Sequence, residues 1–174
     1  MTAPGPNGQA RRYYGKYRGT VVNNIDVHRM GQLLVRCPHV LGPAGLAWAM
    51  PCVPFAGPGE GFYMLPNPGA NVWVEFEEGD PRHPIWTGCF WLTQGIPPKA
   101  LLPTVRTITT RAAEVTLDDT PGAGGVTLKV GPPTVAVPCT VALSVTGIEI
   151  TVGNATIKLD PVTVDINGGA LKVI

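Results

Sequence analysis

The second half of the chain alternates between apolar and polar residues with a period of two. Ile148, Ile150, Val152, Ala155, Ile157, Leu159, Val162, Val164 and Ile166 occupy one parity, and Glu149, Thr151, Thr156, Lys158, Asp160, Thr163, Asp165 and Asn167 the other. Turn-forming residues divide the run at Gly147, Asn154, Pro161 and Gly168, a spacing of seven. Period-two alternation places the two sets on opposite faces of extended strands. A coiled coil is excluded, because apolar residues are two apart rather than three and four, and glycine, proline and β-branched residues oppose a helix. The pattern predicts short stacked strands separated by tight turns. Earlier segments keep it less regularly: Ala113-Val115-Leu117, Val126-Leu128-Val130 and Val141-Leu143-Val145 face one way, with slips near Pro132-Pro133 and Pro138.

The first half is also β-like but less regular. Val21-Val22, Gln32–Cys37, Ala70–Phe76 and Pro84–Trp91 read as strands, and Val72, Val74 and Phe76 fall on one side of the third. Gly/Pro-rich loops separate them, notably Phe55–Pro68. About five short strands in some eighty residues suit a small closed barrel. The predicted organisation is an arm over 1–13, a barrel over 14–92, a linker over 93–105 stiffened by Pro97-Pro98, and a strand-rich needle over 106–174.

The needle strands have one apolar face and nothing within their own segments to cover it. A lone ribbon of this kind is marginal in water. Three copies wound about one axis bury that face and pair the open strand edges. The predicted trimer core is therefore Ile148, Ile150, Val152, Ile157, Leu159, Val162, Val164 and Ile166. A monomeric six-strand sandwich is the alternative.

Composition sharpens this picture. Glycine (22) and proline (19) are abundant, yet 44% of residues are hydrophobic and 14% charged, which supplies enough apolar surface to fold. The net charge is +1, and residues 1–92 hold 7 basic and 6 acidic side chains against 6 and 6 in the remainder. No basic stripe for nucleic acid results, and the cluster Arg11, Arg12, Lys16 and Arg18 reads as a solvated or protein-docking arm. Cys37, Cys52, Cys89 and Cys139 show no C-x-x-C spacing. The first dozen residues have no apolar core of a secretory leader, so buried free thiols in a protein made in the cytoplasm are expected.

Catalytic groups are sparse. Ser144 is the single serine, on the polar parity of a strand, and His28, His39 and His83 all lie in the other half. Cys37 and His39 share a strand face if the strand continues through them, which is the geometry of a thiol–imidazole pair or half a metal site; a buried thiol beside a surface histidine is the plainer reading. Glu77, Glu78 and Asp80 offer paired carboxylates. Gly57, Gly59 and Gly61 lack the helix and lysine of a phosphate loop and read as a close-packed barrel loop. No catalytic residue, metal ligand or cofactor is predicted.

Spaced segments then carry a specific resemblance. Trp48-Ala49-Met50-Pro51, Gly57, Gly59 and Gly61, Pro68-Gly69, Phe76 followed by Gly79-Asp80-Pro81, and Cys89-Phe90-Trp91 together resemble the OB domain of phage baseplate assembly protein V and of VgrG proteins, over about residues 15–92. The resemblance implies an all-β chain, an OB-fold barrel followed by an intertwined trimeric β-helix or β-prism spike. It implies a non-enzymatic homotrimer that caps a tube at a separate trimeric hub protein and pierces a target envelope, touching the target membrane only on firing. A PAAR-repeat tip protein is implied at Leu171, Lys172, Val173 and Ile174, with inner tube and cargo effectors as further partners, in a virion or tail-like particle. Some relatives carry a lysozyme domain between barrel and spike, for which 93–105 is too short. An OB-fold nucleic-acid binder is the alternative function, with Trp48, Trp73, Trp86 and Trp91 available for stacking.

Overall fold

Alternation over Asn71–Phe76 places Val72, Val74 and Phe76 in a core with Val21, Leu33, Val35, Cys37, Ala49 and Trp86. A computed structural model describes residues 11–173, with side chains described through Leu171. The chain divides into two compact units between Leu92 and Thr93.

In the first unit, β1 (Tyr17–Asn23), β2 (Leu33–Arg36), a short helix α1 (Pro38–Leu41) and β3 (Leu46–Pro51) come first. A two-stranded ribbon follows, β4 (Ala56–Gly57) with β5 (Glu60–Gly61), then β6 (Asn71–Phe76) and β7 (Pro84–Cys89). β1, β2, β3, β7 and β6 close in that order into a five-stranded barrel. Closure comes from the parallel pairing of β3 with β7 at Met50–Ile85 and Pro51–Trp86. Trp86 is buried, and its indole Nε1 donates to the Gly31 carbonyl at 3.1 Å, which satisfies its polar end.

The packed core starts at Tyr13, which is buried against Phe76 and whose N–H donates to the Gly79 carbonyl at 2.9 Å. Gly79 has φ +75, and a Cβ there would lie 3.0 Å from Tyr14 Cε1 and 3.1 Å from Tyr13 N. Glycine is thus required both by the left-handed turn and by the returning backbone. Asp80, next in the chain, accepts from Nε, Nη2 and the backbone N–H of Arg82, and this holds its carboxyl well below the usual range.

The second unit begins with a 3-10 turn over Pro98–Leu101, inside the segment predicted as a stiff linker. Its strands are β8 (Val105–Thr109), β9 (Ala113–Asp118), β10 (Gly125–Val130), β11 (Cys139–Ser144), β12 (Gly147–Val152), β13 (Ala155–Leu159), β14 (Val164–Ile166) and β15 (Leu171–Val173). They form one eight-stranded sheet in sequential order, every pair antiparallel. The expected intertwining is corrected here: the strand ladder is built within one chain as an up-and-down meander. Short connections between successive strands cause this, and two of them are two-residue turns. Gly153-Asn154 joins β12 to β13, with Gly153 at φ +59, and such a turn reverses the chain into a hairpin.

Gly147 shows how tight these hairpins are, since a Cβ there would sit 1.9 Å from the Leu159 carbonyl oxygen. The slip near Pro132-Pro133 and Pro138 does not propagate. The loop 131–138 absorbs it, and β10 and β11 pair continuously from Val130–Cys139 to Gly125–Ser144.

Candidate functional site

The register lines up the apolar residues of the sheet into rows that cross the strands. The central row runs Ile108, Val115, Leu128, Val141, Ile150, Ile157, Ile166, Leu171, one residue from each strand and each apolar. A second row begins at Arg106 and continues through Leu117, Val126, Leu143, Ile148, Leu159 and Val164 to the register position of Val173. A shorter third row is Ala113, Val130, Cys139, Val152 and Ala155. Cross-strand neighbours of this kind are the unit of sheet packing.

Within one chain this face has no cover. Ile148, Ile150 and Ile157 are each 39% exposed, Val152 is 47% and Leu171 57%. Burying what remains of each is worth roughly 1 kcal/mol, and the whole face on the order of 10 kcal/mol per chain.

The opposite face is polar and internally paired. One of its rows is Thr107, Thr116, Thr127, Ala142, Glu149, Lys158, Asp165 and the register position of Lys172. Lys158 Nζ stands 3.4 Å from Glu149 Oε1. The 3-10 turn before β8 is tied to this polar face by an ion pair from Lys99 to Glu114, whose carboxylate also accepts from Thr116 Oγ1 at 2.9 Å. Lys99 holds the Glu114 carboxyl below its ordinary range. The one adjacent segment long enough to shield the sheet therefore covers its wetter side.

Seven of the eight predicted core residues lie on strands of the apolar face. Val162 does not: it falls in the β13–β14 turn and is 72% exposed. Asp160 Oδ1 accepts from the N–H of Val162 and of Thr163, so the carboxylate organises a turn where the sequence pattern continued a strand. Val145, grouped with Val141 and Leu143, is likewise a turn residue. Sequence reasoning left Ile108 out altogether and assigned Leu171 to tip docking alone; register makes both of them ends of the central row. Leu171 to Val173 form β15, and Ile174 lies outside the described residues, as do 1–10 of the predicted arm.

The other candidate groups are dispersed. Cys37 is fully buried at the start of α1, whereas His39 is exposed on that helix and stacks on Tyr17 with ring centroids 6.2 Å apart. Pro38 opens a helix directly after Cys37, so the strand spacing that joined the pair does not exist. All four cysteines are free, but the expectation that they are buried is met by Cys37 alone: Cys52 and Cys89 are exposed and Cys139 intermediate. Gly57, Gly59 and Gly61 lie in the exposed β4–β5 ribbon rather than in a close-packed loop. Pro51 ends β3, Pro68-Gly69 form a turn whose Gly69 N–H donates to the Val21 carbonyl at 2.8 Å, and Pro81 lies between the paired Asp80 and Arg82. Trp48 and Trp91 are exposed, while the Trp73 ring packs tilted by 37° against Phe90 with the Arg18 guanidinium 5.6 Å from its centroid. Ser144 Oγ contacts Thr146 Oγ1 at 2.9 Å in a hairpin. Among the described residues no His, Cys, Asp and Glu cluster is assembled that could hold a metal ion, and no helix is long and apolar enough to cross a membrane.

A closed barrel joined to a sheet with one continuous uncovered apolar face defines a structural protein of the self-assembling class. Residues 17–91 match the type VI secretion system/phage-baseplate injector OB domain, and residues 105–172 match the phage baseplate V C-terminal trimerisation domain. The chain belongs to the phage baseplate V family of structural baseplate proteins, and its second unit is that family's trimerisation domain. No curated protein matches the chain.

Proposed function

We propose that three copies of this chain form the central spike of a contractile injection machine, with the apolar sheet faces turned to a common axis. The observation that carries this reading is the central row, unbroken across eight strands on a face that the chain leaves wet. Three such sheets make a three-sided prism with Thr, Glu, Lys and Asp rows outside.

Strands spaced about 4.8 Å apart make each side roughly 34 Å long. Six-residue strands from β9 to β12 give way to three-residue strands at β14 and β15, so the prism tapers towards its C-terminal end. A taper concentrates axial force at the narrow end, and the closely hydrogen-bonded hairpins leave few soft torsions to absorb it. The barrels cap the tube on a separate trimeric hub protein, and a PAAR-repeat protein docks on Leu171, Lys172, Val173 and Ile174. The protein acts mechanically, with inner tube and cargo as neighbours and the target envelope met only on firing. Assembly starts from cytoplasmic chains and ends in a phage tail or a related particle.

Light scattering on the purified chain tests the core of this reading. A mass of three times 18.3 kDa is expected, and a stably folded single chain at high dilution would falsify it. Deleting Leu171–Ile174 should remove the tip protein from assembled particles; unchanged occupancy would refute the docking assignment.

A further inference from the structure

The barrel has two unlike ends. The ends of β1, β3 and β7 and the starts of β2 and β6 lie together: Thr20 pairs with Asn71, Leu34 with Asn23, and Cys89 with Val72. The chain leaves the barrel at this end, where the Phe90 N–H donates to the Asn71 carbonyl at 3.2 Å, and β8 of the trimerisation domain begins at Val105. The β1–β2 loop and the β4–β5 ribbon meet here around an open cleft of about 450 Å³ lined by Met30, Pro51, Phe55, Phe62 and Tyr63 among others. The opposite end carries Arg12, Glu77, Glu78, Asp80, Arg82 and His83.

The exit end is apolar and yet wet. Ile25 is 74% exposed, Val27 79% and Tyr63 71%, with Met30, Phe55 and Phe62 also exposed. These side chains are held outward by a built loop. The Asp26 carboxylate accepts backbone N–H groups from His28 at 2.8 Å, Met30 at 2.6 Å and Gln32 at 3.1 Å, and Asn24 Nδ2 ties the loop to the Pro66 carbonyl at 3.1 Å. An ordered loop that presents apolar side chains to water marks a contact surface.

We infer that this collar is a second contact between copies of the chain, packing the barrels of one trimer against each other. The inference rests on the trimer proposed above, because that trimer brings three collars together. Each collar lies within a tether of residues 93–104 of an interface shared by the same three chains. Tethering on that scale holds the barrels at an effective concentration of roughly millimolar, at which a small apolar patch is enough to associate. Around a threefold axis the contact is heterologous, collar to the flank of the next collar, and closes after three copies.

Hydroxyl-radical labelling of the full chain tests it, read beside the mass from light scattering. Met30, Phe62 and Tyr63 should label several-fold less in the wild-type trimer than in the I150E/I157E chain, whereas Tyr14 at the other end labels equally in both. Equal collar labelling in a species with the mass of three chains overturns the collar contact and leaves the sheet trimer standing, its collar free for another protein. A wild-type mass of one chain overturns both. A second measurement covers the case in which the double variant does not fold. With Cys52, Cys89 and Cys139 replaced by alanine, Tyr63→Cys carrying a benzophenone maleimide should photocrosslink chain to chain in dilute full-length trimer, and Tyr14→Cys carrying the same group should not. Failure of Tyr63→Cys to join in a verified trimer also sinks the collar contact.

Discussion

The two units solve the same problem in opposite ways. The barrel bends its sheet until β3 meets β7, and Leu33, Val35, Val72 and Val74 become completely inaccessible within one chain. The second unit has longer and more regular alternation, yet its sheet stays open and its best-ordered apolar row remains about two-fifths exposed. Regular patterning thus measures how well a face is specified, and says nothing about which molecule supplies its cover. Short strands with bulges, as at Val21/Asn23 and Val72/Val74, are what curl a sheet enough to close it. The ladder of the meander carries no such register shift between any pair of strands, so it stays open and recruits its partners from other copies.

This contrast is most open to attack at the centre of the apolar face. I150E/I157E puts two carboxylates into the central row, and each buried unpaired charge costs several kcal/mol, so the trimer should fall apart by at least about a thousandfold in affinity. Light scattering should report single chains while near-ultraviolet circular dichroism of the barrel tryptophans persists. Leu33→Ala is the converse experiment. It empties a fully buried site of the barrel and should cost about 2–5 kcal/mol, lowering a calorimetric transition of the barrel while the mass of three chains is retained. Loss of the trimer on Leu33→Ala would show that the units are not independent.

Gly147→Ala probes the hairpin geometry that keeps the sheet a meander. The added methyl meets the Leu159 carbonyl at a position with φ +128, so a loss of about 1–3 kcal/mol is expected in thermal unfolding of the sheet. Acid should weaken both units for a shared reason. The carboxyls of Asp80 and Glu114 are depressed in the folded chain by Arg82 and Lys99 respectively. Their stabilisation is therefore complete above the unfolded carboxylate values, near pH 4, and is lost as pH falls below that range. Asp80→Asn should flatten the acid limb of a barrel melting profile and leave that of the sheet unchanged. Lys158→Ala, on the polar face, should do least. The exposed pair with Glu149 is worth about 0–1 kcal/mol, and the mass of three chains should persist.

Much of this architecture was readable from residue order, and the misreadings have physical causes. Alternation with a seven-residue turn period located β12 and β13 almost residue by residue, since a strand has no other way to sort faces. It failed at Val162 because the Asp160 side chain forms local hydrogen bonds that compete with the ladder. It joined Cys37 to His39 because the strand was assumed to continue past a proline that instead starts a helix. Ile108 and Leu171 were missed as core because their strands are short and only cross-strand register aligns them with Ile150 and Ile157. The exposed collar has no periodic signature. A Gly/Pro-rich loop looks the same in sequence whether its aromatics pack inward or face water.

The order of residues alone dictated the all-β class, the change of pattern between the two halves, and an apolar face that one strand-rich segment cannot bury by itself. Those properties depend on local geometry, which side-chain parity and turn chemistry settle within a few residues. Tertiary structure decided that the strands reverse into hairpins within one chain rather than winding between chains, that the segment before β8 is tied to the polar face by Lys99 and Glu114, and that the barrel exposes its apolar side chains where the chain departs. These depend on contacts between residues far apart in the chain, whose energies exist only once the backbone has brought them together.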